Sequence, residues 1–125
     1  MCCFFTKATN SLAPKENTTE FGEYFEHLIC MELKSWIDYK HPRSNLTYWR
    51  STSNMEVDFC IDEEIAIEVK SSSNVTEKHL KGLKALREEG IFKRYIVVCQ
   101  EEHPRITDGI EILPWKYFFE ELWKK

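Results

Sequence analysis

The sequence holds only four glycines and four prolines in 125 residues. None of those glycines sits in a GxxxxGK[ST] loop, so the P-loop cradle for nucleoside triphosphates is missing. No run approaches the roughly 18 apolar residues that a membrane-crossing helix needs. Met1 to Phe5 is apolar but too short for a signal-peptide core, and no basic stretch precedes it. The five cysteines show no CxxC spacing, which removes the usual mark of a zinc site. Positive charge is not in excess either. Against 21 acids stand 17 Lys and Arg, and a net charge of −4 argues against coating nucleic acid by charge alone. A local basic surface is still allowed.

What is present is a globular composition, with 42% hydrophobic and 30% charged residues. The length fits one domain over residues 1–125, whose first 19 residues form a polar leading segment. Cys30, Cys60 and Cys99 each lie in an apolar run and read as small core residues of a protein in a reducing compartment. The adjacent Cys2 and Cys3 do not by themselves make a lipid anchor. A cytoplasmic protein without membrane attachment is expected.

Thr6 to Thr19 is polar, contains Pro14 and reads as a loop. From Glu20 to about Tyr39, Phe21, Phe25, Leu28, Ile29, Leu33, Trp36 and Ile37 recur at helical spacing. Thr18 or Thr19 can cap this helix, and Pro42 ends it. Strands are predicted over Leu46–Ser51, Met55–Ile61 and Ile65–Ser71, joined by the hairpin-sized connections "TSN" and "DEE". A second helix follows, capped by Thr76, stopped by Gly90 and carrying a stripe of Leu80, Leu83 and Leu86. "RYIVVCQ" has the near-continuous apolar character of a central strand covered on both faces. "GIEILPWKYFFEELW" gives one short strand and a helix beginning near Pro114. The order α-β-β-β-α-β predicts an α/β (α+β) fold, a mixed central sheet flanked by helices.

The hairpin carries the chemistry. Alternation places Val57, Phe59 and Ile61 on one face of the second strand, and Glu56, Asp58 and Cys60 on the other. The third strand divides likewise into Ile65, Ile67 and Val69 against Ala66, Glu68 and Lys70. With the apolar sets in one core, Asp58, Glu68 and Lys70 share the opposite face. Mid-strand Asp is disfavoured, and Mg²⁺ prefers one or two carboxylates plus water and phosphate oxygens. The lysine can then orient or deprotonate water, or meet charge developing on phosphate. A solvated face with a cross-strand Glu–Lys pair accounts for the same residues. Glu26, beside Gly22, Ile29, Cys30 and Leu33, sits at or near the buried stripe, where an unpaired carboxylate is costly. Glu32 is placed alike, and spacing does not choose between them.

Asp58, followed after nine residues by Glu68-Val69-Lys70 and preceded by an acidic helix, resembles the PD-(D/E)XK nuclease superfamily. The strand and helix order matches the restriction-endonuclease-like αβββαβ core. More narrowly, "FGEYFEHLICMEL", "YWRSTSNMEVDF", "IAIEVKSSSNVTEKHLKGLKAL" and "DGIEILPW" are similar to the C-terminal domain of poorly characterised prokaryotic AAA-type ATPases. The resemblance runs from about Phe4 to Trp123. It implies Asp58 and Glu68 as ligands of Mg²⁺ (Mn²⁺ as substitute), Lys70 as the catalytic lysine and Glu26 as the helix acid that assists. Lys81 or Lys84 would approach phosphate. Two departures stand out: the ATPase module is absent, and Thr6 follows Phe4–Phe5 where the family usually continues with aspartate. A stand-alone or truncated copy is expected.

Two functions are therefore carried forward. One is a metal-dependent DNA endonuclease, or nuclease-like domain, hydrolysing phosphodiesters. The other is a non-catalytic module that keeps the fold and engages DNA, an ATPase partner or a second copy of itself. Intact Asp58, Glu68 and Lys70 favour the first; the acidic balance favours the second.

Overall fold

The computed structural model describes residues 19–50 and 55–124. The leading segment before Thr19 and the Thr52–Asn54 connection, both read above as loops, lie outside the described residues. Helix α1 (Thr19–Lys40) buries Phe21, Phe25, Ile29, Leu33, Trp36 and Ile37, as the 3.6-residue period requires, while Leu28 is only half-buried. His41 N–H closes the last turn on Ile37 O at 2.8 Å, and Pro42 follows.

Strands β1 (Leu46–Arg50), β2 (Glu56–Ile61) and β3 (Ile65–Val69) are antiparallel neighbours. A 3₁₀ turn (Glu77–Leu80) and helix α2 (Lys81–Arg87) then cross to β4 (Arg94–Cys99), which runs parallel to β3. Strands β5 (Arg105–Thr107) and β6 (Ile110–Pro114) and helix α3 (Trp115–Lys124) complete the chain. The sheet is mixed, in the order β1-β2-β3-β4-β6-β5. The α/β expectation holds, and β4 is central and buried as its apolar run demanded.

Two cores sandwich the sheet. Phe59, Ile61, Ile67, Val69, Ile96 and Val98 pack beneath α1 and α3. Val57, Cys60, Ala66, Val97, Cys99 and Ile112 pack with the leucines of the α2 side. Strict alternation along β2 is therefore wrong at Val57. Register shifts from Thr47↔Cys60 to Trp49↔Val57, so β2 carries one extra residue opposite Tyr48. That β-bulge turns Val57 to the α2 side, away from Phe59 and Ile61. Nor is the face carrying Glu68 wet: Glu68 is only 8% exposed.

The sequence predicted one strand before the last helix; two form. Asp108 and Gly109, with φ of 51° and 77°, make the two-residue turn between Thr107 and Ile110. Positive φ at both positions is the type I′ hairpin that Asp-Gly favours. Burial holds the free thiols of Cys60 and Cys99 up at about 11. Cys30 lies in the core as expected, but it is disulfide-bonded, which the expected reducing compartment would not favour. No helix among the described residues is long and apolar enough to cross a membrane.

Gly82 lets α2 approach β2, since a Cβ there would lie 2.2 Å from the carbonyl oxygen of Glu56. Backbone cannot yield as a side-chain tip does. Gly82→Ala is expected to destabilise the domain by about 1–3 kcal/mol, the usual cost of overpacking. An unchanged urea midpoint would show that α2 does not pack this closely.

Candidate functional site

The carboxyl end of β3 and the first residues of β2 meet at one end of the sheet, the position where open α/β sheets commonly bind ligands. Opposite the bulged stretch of β2, the Val69 N–H donates to the Asp58 carboxylate, with Oδ2 at 2.9 Å. Beyond β3, Lys70 N–H donates to Val98 O at 2.9 Å and Gln100 N–H to Ser72 O at 3.0 Å, so the parallel pairing continues through the lysine. Lys70 Nζ contacts Glu68 Oε2 at 3.1 Å. The other oxygen, Glu68 Oε1, is buried without a hydrogen-bond partner.

Three acids perturb one another here. Burial, then the neighbouring Asp58, pushes Glu68 up to about 8, with Lys70 pulling the other way. Asp58 is raised by burial, against the Val69 N–H and Lys70. Glu26 is raised to about 7 by desolvation and by Asp58. Its side chain is exposed at the edge of the α1 stripe rather than buried within it, so water screens its neighbours more than it does for Glu68. Glu32 is the structural acid of the two on α1, accepting the Trp123 indole N–H at 2.7 Å and tying α1 to α3. The start of α1 passes beside the site, since a Cβ at Gly22 would lie 3.7 Å from Ser71 Oγ.

Glu26, Asp58, Glu68 and Lys70 are thus brought into one electrostatic cluster, although β2 alternation was the wrong reason for expecting it. The looser lysines divide. Lys84 is held by Glu77 and by Asp108 (3.1 Å), so a phosphate would have to compete with two carboxylates for it. Lys81 remains exposed on α2. Arg50 is paired with Glu56 at 2.9 Å. His79 was missed. Its Nδ1 accepts the Thr76 N–H at 3.2 Å, which in the neutral ring leaves the proton on Nε2. Burial, Lys70 and Lys78 lower its pKa, so a neutral imidazole adjoins the cluster. The Thr76-x-x-His79 spacing at a helix start was the available signal.

Among the described residues no three His, Cys, Asp or Glu side chains form a ready-made metal cage. A two-carboxylate site is a different matter. The unpartnered Glu68 Oε1 and the raised carboxyls of Asp58 and Glu68 are what a divalent cation would relieve. Mg²⁺ takes one or two carboxylates and draws its other oxygens from water and phosphate. The donor set fits that ion.

Residues 21–118 match the family described as "Domain of unknown function (DUF4143)". The chain belongs to the DUF4143 family. No curated protein matches it. The match to DUF4143 takes in all four cluster residues and runs from α1 into α3.

Proposed function

We propose that this DUF4143 chain is a metal-dependent DNA nuclease domain of the PD-(D/E)XK type, hydrolysing phosphodiesters. The buried Glu68 carboxylate carries the reading, with one oxygen on Lys70 and the other unpartnered beside Asp58. Asp58 and Glu68 would hold Mg²⁺ or Mn²⁺, which when bound supplies Lewis acidity toward a phosphate oxygen. Lys70, tethered by Glu68, presents a fixed positive charge toward the developing negative charge. Glu26, poised near neutrality, can take up or release a proton at the site's edge. The test is incubation with plasmid, single-stranded and branched DNA in Mg²⁺ or Mn²⁺, with Asp58→Ala as control. Cleavage equal in both proteins would defeat the assignment.

Metal binding has its own expected outcome. Mn²⁺ should raise the thermal midpoint of the wild type and not of Asp58→Asn, whose amide oxygen can still accept the Val69 N–H. Equal responses would place the ion elsewhere.

A second reading rests on the ion pairs that occupy Arg50 and Lys84. With few cations left for DNA, a binding module that engages an ATPase partner or a second copy fits as well. On either reading DNA affinity should be modest and should fall steeply as salt rises, since Lys70 and Lys81 must supply it. Tight binding unaffected by salt would contradict both.

A further inference from the structure

At the other end of the sheet, where β3 and β4 begin, a cavity of about 370 Å³ opens between α1, α3 and the strands. Its volume lies within the roughly 300–1,000 Å³ of small-molecule sites. The floor is Ile61, Ile96, Phe118 and Leu122, and Trp36 forms a wall. Asp62, Glu64 and Glu121 border it, with Arg94 in the same lining, and Glu64 is itself paired with Lys93 at 3.3 Å. The charge of Arg94 is already more than matched: Glu111 takes its guanidinium at 2.9 and 2.7 Å, and Glu121 at 3.2 Å, so two carboxylates share one cation. Asp62 is kept ionised by the Asn45 N–H and the Ser44 hydroxyl. The cavity therefore has an apolar floor and a rim of net negative charge, and its only guanidinium is not free for an anion.

We infer that this cavity is a binding site for a small apolar cation, an aryl- or alkylammonium whose hydrocarbon part enters between Phe118 and Ile96 and whose charge stays at the acidic rim. Burial of one ring supplies the affinity, and Asp62, together with the excess negative charge left where Glu111 and Glu121 share Arg94, supplies the preference for positive charge. The site is separate from the Asp58 cluster, at the opposite end of β3. It does not depend on the nuclease reading.

Three probes with one ring and different charge test it: phenethylamine, phenethyl alcohol and phenylacetate, titrated at pH 7.5 and low salt into methyl-labelled protein. Phenethylamine should move the Ile61, Ile65, Ile96 and Leu122 methyl signals saturably, while Ala66 and Val97, on the other face of the sheet, stay still. Phenylacetate should bind at least about tenfold more weakly, the scale for exchanging attraction with repulsion near a surface. Asp62→Asn and Glu121→Gln should each narrow that preference, with the methyl spectrum reporting that the variants are folded. Equal affinity for the three probes, silent pocket methyls, or shifts centred on Ala66 and Val97 would each overturn the inference.

Discussion

Lys70→Met is expected, on the proposed nuclease function, to lower DNA cleavage by about a hundredfold, the common scale for losing an electrostatic or acid–base group. Folding should survive, because the half-buried side chain keeps most of its apolar stem and the backbone N–H still donates to Val98. Metal binding should survive too, with a change that identifies the lysine. Its ammonium pulls down the pKa of Glu26, Asp58 and Glu68. Removing it lets protons compete better for those carboxylates, so Mn²⁺ binding should require a higher pH than in the wild type. A mere surface ion pair would be worth less than about 1 kcal/mol and would leave activity intact. A folded, Mn²⁺-binding Lys70→Met protein that cuts DNA at the wild-type rate would sink the mechanism.

The sequence made most of this architecture legible because its elements carry strong periods. The α1 stripe and the apolar run of β4 each admit one packing arrangement. β5 is only three residues long and mostly exposed, so periodicity had little to act on, and only Asp108-Gly109 signalled its hairpin. At the candidate site, the grouping of Asp58, Glu68 and Lys70 was legible and the faces were not. A bulge inserts one residue without a change in composition, and the period of two turns over unnoticed at Val57. Glu26 and Glu32 occupy similar positions in α1, and the distant Trp123 settles which is structural. Lys84 shows the same limit, since Asp108, which claims it, lies 24 positions along the chain.

Glu68→Gln should, on the proposed nuclease function, abolish most activity, by about a hundredfold or more, and yet make the metal-free protein more stable at alkaline pH. Burial raises the Glu68 carboxyl from its ordinary 4.5 to about 8 in the folded chain. The folded state therefore holds this proton more tightly than the unfolded one. That contribution to stability is complete below about 4.5 and disappears as pH rises from there to about 8. Above that range the wild type must keep a charged carboxylate buried beside Asp58, with Lys70 as partial compensation. An amide carries no such charge. In EDTA the wild-type thermal midpoint should fall between pH 5 and pH 8.5 more steeply than that of Glu68→Gln. Glu26 and Asp58 shift in the same direction and leave a residual slope in the variant. Mn²⁺ added at pH 8.5 should restore the wild type, because the cation favours the charged form, and should do little for the variant. Parallel pH profiles for the two proteins would mean that Glu68 has no strained carboxylate to offer a metal.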